Sequence, residues 1–186
     1  AKAKLKEAGL EGGFETDLYV ANTDPQPRIA QAIQQDLAAI GIKANLQNLD
    51  QGNVIAAGGK KDGAPMIWSG GMAWIAVFRD PGNFYTVILG CGGAVEGGWN
   101  WAWYCNEDLD KRAEEANAMT NPADADKRAA AWGKIFTDLM ADAPWAPVFN
   151  EKAYVIHSAR MTGPEGIFAD PIHIPVNYKE VYATDA

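Results

Sequence analysis

The sequence predicts an α/β fold in which helices flank a mixed, mostly parallel sheet. Three observations carry that expectation. Apolar residues alternate with period two over residues 14–20 and again over 42–49, the pattern of half-buried strands. Between them Ile29, Ile33 and Leu37 recur at four-residue spacing, the stripe of an amphipathic helix. Strand, helix and strand together fill about 36 residues, the length of one crossover unit, so the two strands should run parallel with a right-handed connection.

The chain opens on an amphipathic stretch, 1–8, stopped by Gly9. A start inside a helix, without an initiator Met or a signal peptide, is expected of a processed chain or an excised piece, the piece being the preferred reading. Phe14, Leu18 and Val20 share one face of the first strand. Residues 22–27 form a polar turn with two prolines, where Thr23 or Asp24 is placed to cap a helix over 28–40. Gly41 stands where a left-handed C-terminal cap belongs. Ile42, Ala44 and Leu46 then point inward from the second strand.

A short helix is expected near 51–60, and 65–69 reads as a third, fully buried strand broken by Gly70-Gly71. The stretch 72–104 is irregular apart from a helix over 83–89, and so long a loop inside a compact domain is usually functional. Asn106 caps a helix over 107–119, with Glu107, Asp108 and Asp110 at the positive end of its dipole. Asn121-Pro122 start another, with proline at the first helical position and a stripe of Ala129, Trp132, Ile135, Phe136 and Leu139. Residues 145–150 and 153–157 read as strands. The remainder carries three prolines and little periodicity, so 1–158 is expected to be one domain and 159–186 an extended tail.

A chain of 186 residues with 48% hydrophobic and 22% charged residues has the composition of a soluble globular domain. Sixteen basic against 24 acidic residues give a net charge of -8, which repels phosphate backbones and anionic membranes. Nucleic acid is therefore not an expected partner. No run reaches the roughly 18 apolar residues of a membrane helix, so membrane insertion is not expected either.

Cys91 and Cys105 belong to no C-x-x-C pair, and His157 and His173 lie far downstream, so zinc-ligand spacing is absent and no cofactor is expected. The cysteines are either a disulfide or two unpaired small apolar side chains. The cross-link is favoured because it would steady an irregular loop, by roughly 3 kcal/mol for about 15 residues in the chain-entropy model. It would imply an oxidising compartment. The glycines of Gly90-Cys91-Gly92-Gly93 lack the Lys-Ser/Thr of a phosphate loop. No Ser or Cys nucleophile stands with a base, and no carboxylate pair is singled out as acid and base, so a binding module is expected and not an enzyme.

Several stretches taken together resemble the family 5 solute-binding proteins, the dipeptide, oligopeptide and nickel binders of ABC importers. They are AKAKLKEAGLEGGFETDLYV, IAQAIQQDLAAIGI, WIAVFRDPGNFY, WNWAWYCNEDLDKRAEEA and ADAPWAPVFN. The resemblance implies a two-lobed type II periplasmic-binding fold, of which this sequence would supply the carboxy-terminal lobe. It also implies a tail returning to a missing first lobe, a loop disulfide matching Cys91 and Cys105, and an ABC permease as partner. Localisation would be periplasmic or extracellular.

The same resemblance draws attention to residues 74–84. In peptide-binding relatives the position matching Val77 is an Asp that pairs with the ligand's ammonium. Valine cannot accept a hydrogen bond, and an unpaired buried ammonium costs several kcal/mol. Asp80 would be a displaced substitute, although Asp80-Pro81 equally reads as a turn start. Arg79 is able to grip a carboxylate or phosphate with a forked pair, or is simply a solvated charge. Trp99, Trp101 and Trp103, at alternate positions, would present indoles on one side of an extended segment, a stacking platform for a sugar, an aromatic group or a cation. Packing of the loop is the plainer alternative. Trp132 and Trp145 read as core.

The expected ligand contacts are therefore Trp74, Arg79, Asp80, Asn83, Trp101 and Trp103, facing a small molecule such as a peptide or sugar. Two other functions compete: a secreted carbohydrate-binding or glycoside-acting domain built on the tryptophans, and an isolated lobe that dimerises or docks through its exposed face.

Overall fold

The computed structural model describes residues 1–70, 74, 77–78, 80–149, 154, 156–163 and 181–184. Its centre is a three-stranded parallel sheet, with β1 (Phe14–Ala21) between β2 (Ile42–Leu49) and β3 (Ile67–Trp68). Leu18 stands opposite Leu46 and Val20 opposite Trp68, so the alternation read from the sequence sets the register. On the outer surface Glu15 accepts from both Lys43 and Asn45 at 2.9 Å, which holds its carboxyl below the ordinary range.

Helix α1 (Lys2–Glu7) lies at the start and buries no residue. Helix α2 (Gln26–Ala38) packs Ile33 and Leu37 onto β1 and β2, as its stripe requires. The expected cap at Thr23 or Asp24 is corrected: Pro25 holds the N-cap position without a side-chain cap. The Asp24 carboxylate is engaged instead by Arg28, 2.7 Å away. Gly41 does adopt a left-handed conformation, φ 92°, at the turn into β2. Helix α3 (Gln51–Gly58) is capped by Asp50, whose carboxylate accepts from the Asn53 amide at 3.0 Å.

The third strand is shorter and less buried than predicted. Pairing to β1 starts where the Tyr19 amide meets the Met66 carbonyl at 2.9 Å, one residue after Pro65. Ile67 and Trp68 are only half-buried.

Beyond the long loop come α4 (Gly82–Ile88), α5 (Glu107–Ala118) and α6 (Ala125–Asp142). Asn106 caps α5 by accepting from the Asp108 and Leu109 amides, and Asn121-Pro122 open a 3-10 turn leading into α6. These helices enclose a core of Tyr85, Ile88, Leu89, Leu109, Ala113, Ala116, Trp132, Ile135 and Leu139, with Trp145 packed against it. A second core, Leu18, Val20, Ala30 and Ala44, lies between the sheet and α2.

Residues 145–149 form no strand, contrary to expectation. Pro144 and Pro147 remove amide donors within four positions of each other, which disfavours a ladder through them. In the second predicted strand, Tyr154, Ile156 and His157 are likewise irregular, while residues 150–153 and 155 lie outside the described residues. In the tail β4 (Met161–Thr162) pairs antiparallel with β5 (Tyr182–Ala183), and 164–180 lie outside the described residues. Among the described residues no helix is long and apolar enough to cross a membrane.

Candidate functional site

The chain leaves β3 at Trp68 and reaches Trp74 just before α4. Asn83, in the first turn of α4 and only 4% exposed, accepts from the Trp74 indole at 2.9 Å and from the Val77 amide at 3.3 Å. One buried amide oxygen thus fixes an indole and the backbone that follows it. Val77 and Phe78 stand out into solvent at 65% and 54% exposure.

Asp80 is fully engaged. One carboxylate oxygen accepts from the Gly82 amide at 2.8 Å, and the other lies 2.5 Å from Arg128 of α6. It starts the turn into α4 and ties that turn to the helical layer, which favours the turn reading of Asp80-Pro81. Arg79 lies outside the described residues.

The loop between the cysteines supplies the rest. Cys91 and Cys105 form a disulfide, closing a loop whose ends lie just after α4 and just before α5. Asp110 of α5 accepts from the Cys91 amide at 3.2 Å and from the Tyr85 hydroxyl at 2.7 Å. Burial, then the bond to this carboxylate, pushes the Tyr85 phenol well above its ordinary value. Asn100, 1% exposed, donates to the Gly90 and Tyr104 carbonyls at 2.9 and 2.8 Å and so laces the loop across its middle.

These ties bend the segment that was expected to be extended, and the three tryptophans part. Trp99 and Trp101 stack, centroids 5.7 Å apart at 26°, and Trp74 tilts against Trp99 at 6.1 Å. Trp103 instead takes a positive φ of 50° and sends its indole N–H to the Gly58 carbonyl of α3, 3.3 Å away. The single platform is therefore corrected to a ladder of Trp74, Trp99 and Trp101, with Trp103 anchoring it from below. Trp99, 42% exposed, is its most open rung. Trp132 is buried in the helical core, as its stripe position predicts.

What reasoning from the sequence missed is the support. Asn83 was expected to touch ligand but holds Trp74, and Asn100, Asp110 and Gly58 drew no attention because their partners are remote in sequence or are backbone atoms. Beside the ladder, an apolar groove of about 560 Å³ runs past Leu18, Ile33, Leu37, Trp68 and Trp101. Among the described residues no cluster of metal-binding side chains is present.

The model of the bacterial extracellular solute-binding proteins, family 5 Middle, matches residues 1–96. The di/tripeptide-binding protein 2 of Pseudomonas aeruginosa (strain UCBPP-PA14) is 35% identical over 168 residues, 88% of this chain and 30% of that protein. The chain thus spans less than a third of the length of that relative. Among solved structures, the periplasmic binding protein DppA from Helicobacter pylori in complex with peptide STSA is similar at 26% identity. Its TM-score is 0.69, covering 77% of this chain and 27% of that one. The clavulanic acid biosynthesis oligopeptide binding protein 2 shares the fold over 99% of this chain and 33% of its own, at TM-score 0.82 and 19% identity.

Proposed function

Since the chain belongs to the bacterial extracellular solute-binding proteins of family 5, we propose that it is the carboxy-terminal lobe of a two-lobed binder that captures a small peptide-like or other polar solute for an ABC importer. The family is extracytoplasmic, and the Cys91–Cys105 disulfide suits an oxidising compartment, so the chain works in the periplasm or outside the cell. The role is capture, not catalysis.

The observation that carries the reading is the ladder of Trp74, Trp99 and Trp101, partly open to solvent and braced from α4 and α3. Rigid aromatic surface of this kind binds at small entropic cost, because few rotors are frozen when a ligand arrives. Trp74, Trp99 and Trp101 are proposed to touch the solute, while Asn83, Asp80 and Trp103 hold them in place. Arg79, beside Asp80 in the sequence, is proposed to pair with a carboxylate of the solute. Val77 offers the solute an apolar surface and no acceptor for an ammonium group.

Closure of a second lobe over this wall would convert occupancy into a shape that a permease recognises. The segment 159–186 is proposed to lie against that second lobe. The test is titration of the full-length protein with dipeptides such as Met-Leu, tripeptides and a disaccharide, followed by calorimetry and tryptophan fluorescence. Peptides are expected to bind and Trp99→Ala to weaken them about tenfold, the scale of one lost aromatic contact. Saturable binding of the disaccharide alone, or of nothing in the panel, rejects the proposal.

A further inference from the structure

The ladder needs something to fix the angle of its innermost rung, and hydrogen bonding does not supply it. The Trp101 indole N–H is buried without a hydrogen-bond partner among the described residues. Its ring is placed by shape alone, against Trp99 on one side and against the last turn of α3 on the other. That turn ends in Gly58, which is buried. A Cβ at Gly58 would stand 2.5 Å from Trp101 Cδ2 and 2.6 Å from Cγ, closer than real carbon atoms approach. The Gly58 carbonyl meanwhile receives the Trp103 indole. One residue later the Gly59 carbonyl accepts from the Gly97 amide at 2.8 Å, so the loop docks on both glycines.

Backbone conformation does not demand glycine at position 58, because its φ lies outside the left-handed region. In a helix, alanine would ordinarily be the more stable residue there. Glycine at this point destabilises the isolated helix and makes room for an indole. We infer that Gly58 is a positioning residue for the aromatic wall, setting the depth and tilt of Trp101 and, through the stack, of Trp99. This rests on the reading of the ladder as a solute-contacting surface, and it adds that the surface is gauged from the sheet side of the molecule, by a residue that touches no solute.

The experiment compares Gly58→Ala, Trp101→Ala and the double variant in the full-length protein. It follows thermal midpoint, the exciton band that stacked indoles give in circular dichroism, and affinity for the dipeptide Met-Leu. Gly58→Ala is expected to lower the midpoint, to diminish the exciton band and to weaken Met-Leu about tenfold, the equivalent of one mispacked contact. With Trp101 already removed, the same substitution should leave the midpoint unchanged or raise it, since the space it fills is then vacant. If Gly58→Ala alone fails to fold, recovery of folding in the double variant supports the inference, and failure of both variants overturns it. An unchanged exciton band in Gly58→Ala, or a midpoint loss that persists without Trp101, overturns the inference alone. Loss of the band with undiminished Met-Leu binding overturns the solute-contacting reading, and the positioning role falls with it.

Discussion

The sheet side and the helical side of this molecule hold together by different means. Around the sheet the closed cluster is small, Leu18, Val20, Ala30 and Ala44, with Ala21, Ile42 and Val54 also buried, and Ile33, Leu37, Leu46, Met66 and Trp68 packed against it stay half-buried. An eight-residue parallel ladder between β1 and β2 carries much of the order there. Among α4, α5 and α6, by contrast, Tyr85, Leu109, Trp132, Ile135 and Leu139 are almost wholly enclosed, and Tyr85, Trp132 and Phe136 form a run of tilted rings. One half is ordered by backbone pairing with space left beside it, the other by side-chain packing without slack.

The sharpest way to break that contrast is truncation. Leu139→Ala removes a fully enclosed side chain and should cost about 3 kcal/mol, whereas Leu37→Ala, next to the open groove, should cost about 1 kcal/mol. Urea unfolding of both variants measures the difference, and equal losses would contradict the comparison. Next in size is the cross-link. Replacing both Cys91 and Cys105 by serine should cost up to about 3 kcal/mol through the freed loop, less if the unfolded chain keeps some structure. Hydrogen exchange should show the weakening first at α4 and the start of α5, where the loop is anchored, with β2 and its pairing to β1 keeping their protection.

The smallest effect expected is on acid stability, and it sharpens the comparison because both halves contribute. Bonds from Tyr104 and Asn106 hold Asp142 below the ordinary carboxylate range, Arg112 and Lys134 do so for Asp138, and Asn45 and Lys43 for Glu15 on the sheet. A carboxyl whose folded value is lowered stabilises the fold above its unfolded value, about 4, and that contribution is lost as pH falls through the folded value. The thermal midpoint should therefore decline on acidification below about pH 4. Asp142→Asn should make the acid limb of a midpoint-against-pH curve shallower, and an unaltered limb would remove Asp142 from the account.

The same contrast explains what could be read from the sequence. Both β1 and β2 were legible because Leu18, Val20, Ile42 and Ala44 alternate, and α5 because Asn106 precedes a run of acidic residues and caps it. Such signals are local, and neighbours along the chain generate them. The helix start at Pro25 was misread because Asp24, a good cap by type, is engaged by Arg28 one turn away. Residues 145–149 looked like a strand from their apolar content, though prolines at 144 and 147 disfavour a ladder through them. At the site, the tryptophans announced themselves by number, but their arrangement did not. Trp103 diverges from Trp99 and Trp101 because it meets Gly58, 45 positions away, and because Asn100 turns the backbone between them. No periodicity encodes a contact of that range.

The disulfide-closed loop has a consequence for how the molecule comes apart. Its ends lie just after α4 and just before α5, while Gly97 and Trp103 bond to the carbonyls of Gly59 and Gly58 at the end of α3. It works as a seam stitched through both halves, so that neither core can open without straining the other and heat should melt them in one step. The exposed tip at Val95 and Glu96 is where a protease would cut the loop. A chain nicked there would keep its covalent continuity through the cystine, and because Gly97 and Trp103 both lie on the α5 side of the cut, the stitches to Gly59 and Gly58 would hold and one calorimetric peak should remain.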